Sequence, residues 1–422
     1  MDKKSTMKAD AGFLLLKSEE VIMKACGIIA EYNPFHNGHL YQLEEAKKRT
    51  GAEVIIVVMS GNFLQRGEPA IVDKWKRAKM ALAGGADLIL ELPVSYSVQP
   101  ADLFAKGAIE ILAGLGCASL SFGAESGNGE TFKKAAKLLI EYSEDIDDQF
   151  KKQNEKGKPY AVRMEQAIAA VIPSFPINLS KPNNQLGLAY AKENYYHGDR
   201  FHFEVIGRKQ AEYHDVNLSE NTTIASATAI RKQLLNPLNV QNSSQAFMPA
   251  TSLELLNQSQ LINWNNYWRL LKYQILSSSL KELQQIYQME EGLEYRLKKA
   301  VQSADSFERF IQTVKNKRMT RTRLQRLCVY VLLQIKHSDL AALNQMPTSR
   351  ILGFSPLGQQ YLSEVKKSSS VNLLTKINKL TKDNWSLDIK AGEVYQLALD
   401  NVKLKQDFNR KPLNIIDITT GD

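Results

Sequence analysis

Cysteine is nearly missing from this 422-residue chain, which has three: Cys26, Cys117 and Cys328. An odd number at wide spacing builds neither a disulfide framework nor a zinc-ligand pattern, and it fits a reducing, cytoplasmic compartment. Long apolar runs are missing too. Stretches such as Val54 to Met59 end after about six residues, where a membrane helix needs roughly 20, so a soluble protein without a membrane partner is expected. No set of Asp, Glu, His or Cys has metal-ligand spacing, and no protein-bound metal is expected. With 44% hydrophobic and 23% charged residues, disorder is excluded as the main state.

The length suits two or three folding units. Residues 1–22 hold a short apolar stretch, Ala11 to Leu16, followed by Glu19 and Glu20 with no cleavage pattern, and are expected to be a disordered extension. From Lys24 onward, short apolar runs alternate with helical spacing. Strands are expected at Ala25 to Glu31, Glu53 to Met59, Leu88 to Leu92, Ala118 to Phe122 and Phe203 to Gly207. Helices are expected at Leu40 to Arg49, Lys74 to Ala83, Pro100 to Leu112, Thr131 to Tyr142, Ala161 to Val171 and Ser226 to Leu235, with Glu144 to Lys158 a loop. Such alternation predicts an α/β fold, a doubly wound parallel sheet of Rossmann-like type, over residues 23–240. Residues 236–250 turn polar and mark the boundary. Residues 251–422 are expected to form a second, mainly helical domain. The net charge of +9 falls entirely on that second part, the footprint of a polyanion partner.

Chemistry concentrates after the first strand, in Ile29-Ala30-Glu31-Tyr32-Asn33-Pro34-Phe35-His36-Asn37-Gly38-His39-Leu40-Tyr41-Gln42. Ligands dock at the carboxyl edge of the strands in such sheets, and a helix starting near His36 would aim unpaired N–H groups at an anion. His36 and His39 share one helical face and can donate to phosphoryl oxygens, while Gly38 lets phosphate approach the backbone. A surface or capping role competes for any isolated His-x-x-His pair, but this position favours catalysis. A second phosphate cradle is expected at Ser226, Thr228 and Arg231, where a helix begins after the last strand of the first part.

The segments His36-Asn37-Gly38-His39 and Ile224-Ala225-Ser226-Ala227-Thr228-Ala229-Ile230-Arg231 together resemble the nucleotidylyltransferase superfamily, with Ala227 where its second signature has Ser. Further runs carry a closer likeness: Gly27 to His39, Met59 to Pro69, Glu91 to Pro93, Phe122 to Glu125, Ser180 to Asn184 and Lys315 to Arg326. They resemble the bacterial family within it that acetylates the wobble cytidine of elongator tRNA(Met). That resemblance implies a two-step ligase. Acetate attacks the α-phosphate of ATP, giving acetyl-adenylate and pyrophosphate, and the cytidine N4 then takes the acetyl group to give N4-acetylcytidine. It also implies catalysis by His36 and His39, and an ATP site of Ile29 to Gln42 with Gly123, Asn183 and Arg208. Mg²⁺ would arrive on ATP. A small-molecule adenylyltransferase is the alternative, but it leaves the basic second part without a purpose.

For the RNA, Lys315, Lys317, Arg318, Arg321, Arg323 and Arg326 place cations in one short segment without an acid, a pattern able to grip several phosphates. Core packing is expected for Trp264, Tyr267 and Trp268. The loop Ser60 to Pro69, with Arg66 and Glu68, is a candidate cover for acetate.

Overall fold

The computed structural model describes residues 23–153, 158, 160–207, 224–236, 245–290, 292–317, 319–340, 346–402 and 406–420. The expected extension, Arg208 and Arg318 lie outside them.

The first part runs β1 (Ala25–Ala30), α1 (Asn37–Thr50), β2 (Val54–Ser60), α2 (Lys74–Ala83), β3 (Leu88–Leu92), the short α3 (Val94–Ser97), α4 (Ala101–Gly114) and β4 (Ser119–Ala124). It continues with α5 (Gly129–Glu141), α6 (Ser143–Lys152), α7 (Tyr160–Val171), α8 (Pro182–Tyr196), β5 (His202–Gly207) and α9 (Ala227–Leu234). The five strands pair in parallel in the order β5-β4-β1-β2-β3. Every residue of β2 is buried, because alternate side chains feed two cores. Val54, Ile56 and Val58 pack toward α4, α5 and α8, and Ile55, Val57 and Met59 toward α1 and α2. The α/β fold with both sheet faces covered is therefore as expected.

Besides the one-turn α3, two helices of the first part went unforeseen. In α6 the expected loop is helical, with Glu144 and Asp145 in the first turn and Lys151 and Lys152 in the last, charges that suit the helix dipole. Only Ile146 of its residues is buried, so the apolar signal was faint. In α8 the buried set includes Asn184 and Asn194, which break the apolar pattern although they face inward.

After α10 (Ala250–Asn257), the helices α11 (Trp264–Ser277), α12 (Leu280–Gln284), α13 (Leu293–Ser303), α14 (Phe307–Val314), α15 (Arg321–Leu333) and α16 (His337–Leu340) follow. They build a third core that includes Trp264, Tyr267 and Trp268, as expected of those aromatics. The chain then returns to the sheet through β6 (Thr348–Phe354), α17 (Pro356–Val365), β7 (Asn372–Leu374), α18 (Ser386–Gln396), β8 (Leu413–Asn414) and α19 (Ile415–Thr420). Strand β6 pairs antiparallel with β3, and β7 and β8 pair with β6. Residues 251–422 are thus not wholly a separate helical unit, a correction to the expected division. Without β6, the far edge of β3 would leave a row of unpaired backbone groups. Among the described residues no helix is long and apolar enough to cross a membrane.

A buried charge cluster locks this return. Lys74 Nζ donates to both carboxylate oxygens of Glu91 at 2.8 Å and lies 2.9 Å from Asp407 Oδ1, which Arg350 also meets at 2.5 Å. Asp388 accepts the Val94 N–H at 2.7 Å, and burial, then the Glu91 charge, pushes its carboxyl well above the usual carboxylate range. Removing one member strands the others in low dielectric. Lys74→Met is expected to cost about 3–5 kcal/mol, measured by urea unfolding; a loss under about 1 kcal/mol would mean the cluster contributes little.

Candidate active site

The site begins with a buried cation. Arg77, fully buried on α2, donates from Nη1 to the carbonyls of Glu31 (2.6 Å) and Ser60 (3.0 Å), from Nε to Val72 (3.1 Å) and from Nη2 to Gly61. It thereby gathers the carboxyl ends of β1 and β2. Burial lowers its pKa from the ordinary value. Asn33 Oδ1 accepts the Ile71 N–H at 2.7 Å, joining the turn after β1 to the loop after β2. Tyr32, at φ 49° and buried, sets its ring edge against Phe35 and His39, with centroids 4.9 and 4.8 Å away.

His36 is the N-cap of α1. Its Nδ1 accepts the Gly38 N–H at 3.0 Å, and His39 Nδ1 accepts the His36 N–H at 3.3 Å, a capping box made by two imidazoles. The rings stack with centroids 3.7 Å apart. With both Nδ1 atoms accepting, the neutral rings carry their protons on Nε2. Capping and catalysis, set against each other at first, are compatible: the cap fixes the tautomer that makes each ring a donor. Gly38 has a different reason from the one expected. A Cβ there would meet His36 Cε1 at 2.8 Å, so the glycine makes room for the imidazole itself.

The second cradle faces this turn. Ser226 caps α9 by accepting the Ala229 N–H at 3.1 Å, so its hydroxyl oxygen is already engaged. Arg231 donates to the Asn33 carbonyl at 2.9 Å and pairs with Glu68 at 3.3 Å, tying α9 to both loops. Between them lies a cavity of about 290 Å³. Ile29, Ala30, Glu31, Tyr32, Asn33, His36, Gly38, His39, Tyr41, Gln42, Gly123, Asn183, Ser226, Thr228 and Arg231 line it, as do Gln65, Arg66, Glu68, Phe104, Phe122, Leu186 and Tyr190. Pro34, Phe35, Asn37 and Leu40 do not. Phe35 packs in the core, and Asn37 donates to the Ala246 carbonyl at 3.0 Å.

Asn183 sits in the first turn of α8, where Glu125 after β4 accepts its Nδ2 at 2.7 Å and the Asn184 N–H at 3.0 Å. The apolar wall of Leu186 and Tyr190, which joins Phe104 of α4, was not foreseen, because α8 itself was not. Pro182 at a helix start was the available signal.

The loop Ser60 to Pro69 is stapled outward as well as inward. Phe63 packs against Tyr267 and Tyr395, and Trp264 Nε1 donates to the Gly67 carbonyl at 2.9 Å. A Cβ on Gly67 (φ +74°) would collide with the Arg326 backbone N at 2.1 Å. Arg326 is itself buried, its guanidinium 3.4 Å from the Gln65 carbonyl, with burial lowering its pKa. Its place is under the loop and not on an RNA-facing surface. Arg321 makes two bonds to Glu308 (2.7 and 2.6 Å) and Arg323 pairs with Glu290 (3.1 Å), so acids distant in sequence reach this run. Lys315 and Lys317 are exposed. Among the described residues no group of three or more His, Cys, Asp or Glu is placed to hold a metal.

A family model described as HIGH nucleotidyl transferase matches residues 23–410. The chain belongs to the HIGH nucleotidyl transferase family. Within it, the chain is 44% identical to the tRNA(Met) cytidine acetate ligase of Ligilactobacillus salivarius, over 93% of this chain and 100% of that protein. The ligase of the same name from Bacillus subtilis is 40% identical over 92% of this chain and 95% of its own length. The crystal structure of apo Thermotoga maritima TmcAL superposes with TM-score 0.84 at 29% identity, covering 93% of this chain and 99% of that one. TmcAL bound with alpha-thio ATP gives 0.81 at 28% identity, with the same coverage. The resemblance carried by the two signatures thus holds across the family's whole length.

Replacing Gly38 with alanine forces the His36 ring out of its cap. Gly38→Ala is expected to destabilise by about 0.5–2 kcal/mol and to weaken binding of an ATP analogue at least about tenfold, or 1.4 kcal/mol, both measurable by thermal shift and calorimetry. Unchanged affinity would show that His36 does not touch the nucleotide.

Proposed function

We propose that this protein forms N4-acetylcytidine at the wobble position of elongator tRNA(Met), using ATP and acetate. ATP occupies the cavity between the starts of α1 and α9. Acetate attacks the α-phosphate, acetyl-adenylate forms and pyrophosphate leaves; the cytidine N4 then takes the acetyl group and AMP departs. One observation carries the reading: two sequence signatures nearly 190 residues apart meet across one cavity, in a chain that matches ligases of this name over their full length.

Charge rises on the phosphates as the bond to pyrophosphate breaks. The Nε2–H groups of His36 and His39 and the Arg231 guanidinium are the donors proposed to meet it, and such preorganised donors act through the transition state. Ala227 removes one hydroxyl from the second cradle, and Thr228, at the same helix start, supplies another. Gly123 and Asn183 face the nucleoside end, with Arg208 assigned to the same pocket by family likeness. Mg²⁺ travels on the ATP phosphates. Arg66, beside Glu31 and Glu68 in the lining, is the cation proposed to meet the acetate carboxylate.

The RNA surface is proposed to comprise Lys315, Lys317, Arg318, Arg321 and Arg323, reached after phosphate displaces Glu308 and Glu290 from their arginines. Arg326 instead joins that surface to the loop over the cavity.

His36→Ala is expected to reduce acetate-dependent ATP–pyrophosphate exchange about 10²–10³-fold while changing tRNA affinity little; equal loss of both would contradict the division of labour. For Arg321→Ala combined with Arg323→Ala, the plot of log affinity against log salt should flatten by about one unit per lost phosphate contact. A slope identical to that of the unaltered protein would remove these arginines from the interface.

A further inference from the structure

Acetyl transfer has a requirement that the two histidines do not meet. As the N4 lone pair forms the new C–N bond, the carbonyl carbon's bond to the AMP phosphate oxygen breaks and its electron pair leaves on AMP. N4 must also release one of its two protons. Both imidazoles are held with Nδ1 accepting a backbone N–H, which makes Nε2 a donor. Arg66 and Arg231 have no acceptor. Burial raises the phenols of Tyr32 and Tyr190 above their ordinary range and keeps them protonated. Two carboxylates remain in the lining, and Glu68 is committed to Arg231 at 3.3 Å.

Glu31 is the other. It follows β1 directly, and its backbone carbonyl is pinned by Arg77 at 2.6 Å. Its Oε1 accepts the Gln65 N–H at 2.8 Å, and its second oxygen has no hydrogen-bond partner among the described residues. The residue is therefore held at its backbone and at one carboxylate oxygen, with the other acceptor oxygen left over. Arg66, Glu68 and Arg231 face it from the loop and from α9, with Tyr190 on α8 and Arg77 on α2 behind. Burial raises its pKa above the ordinary carboxylate value, against the opposing Gln65 N–H and Arg66 charge, which makes the carboxylate a stronger base.

We propose that Glu31 is the catalytic base of the second step, taking the N4 proton as the acetyl group passes from the adenylate to cytidine. The role rests on the function proposed above. Glu31→Gln keeps the side-chain volume and an acceptor for the Gln65 N–H but loses the base. Single-turnover transfer of labelled acetyl from preformed acetyl-adenylate to tRNA(Met) should fall about 10²–10⁴-fold, a much larger loss than that of acetate-dependent ATP–pyrophosphate exchange. The rising limb of the pH profile for transfer should vanish in Glu31→Gln and persist, at a lower rate, in Glu31→Asp. Transfer close to the unaltered rate, or exchange and transfer falling together in a protein with unchanged melting temperature, would overturn the assignment. Absence of acetate-dependent exchange in the unaltered protein would instead sink the function on which it rests.

Discussion

One guanidinium underlies the site. Arg77 is removed from water entirely and spends its donors on the carbonyls of Glu31, Ser60, Gly61 and Val72, the places where two neighbouring strands stop being strands. Carbonyls at a strand end have lost their ladder partners and would be costly to bury alone. Charge-assisted bonds to one rigid, planar group satisfy them together and fix the spacing between the histidine turn and the loop that covers it. The tautomers of His36 and His39, the position of Glu31 and the reach of Arg231 all follow from where those two chain segments are held.

The same economy runs outward to the second part of the chain. Gly67 lies against the Arg326 backbone with no room for a side chain, and Trp264 and Phe63 fasten the same loop to the helical core. A segment of ten residues therefore has one face in the cavity and the other on the helix that begins with Arg321 and Arg323. The proposed RNA surface and the nucleotide cavity share a wall. Beside the same loop, where Glu91 lies against Gly61, the cluster of Lys74, Glu91, Arg350 and Asp407 binds the returning strand β6 to β3, so both parts of the chain build one scaffold.

Much of this was legible in the residues themselves. The five parallel strands announced themselves through apolar runs, and α2 and β3 occupy their expected spans because Asp73 and Gly84 bracket the helix and the strand is wholly apolar but for Glu91. His36, His39, Ser226 and Arg231 were found by motif and lie together. What stayed hidden was hidden for physical reasons. Helix α8 buries Asn184, which bonds Glu125 and Ser126 after β4, and Asn194, which bonds the Phe201 carbonyl before β5, a pattern that periodicity of apolar residues does not register. Strand β6 belongs to a sheet begun more than 300 residues earlier, and local sequence carries no mark of so distant a partner. The basic run looked free of acids because Glu290 and Glu308 approach it only in the fold, and Arg326 looked exposed because helical position alone does not say which face meets a loop.

The central claim is that the starts of α1 and α9 jointly hold the triphosphate, with the imidazole Nε2 atoms turned toward its α-phosphate. The most direct measurement is a crystal structure of this protein with a non-hydrolysable acetyl-adenylate analogue. The account predicts the phosphate within hydrogen-bond distance, about 2.7–3.2 Å, of Nε2 on His36 or His39, and the adenosine beside Gly123 and Asn183. An analogue bound elsewhere, or seated with its phosphate turned away from both rings, would contradict it.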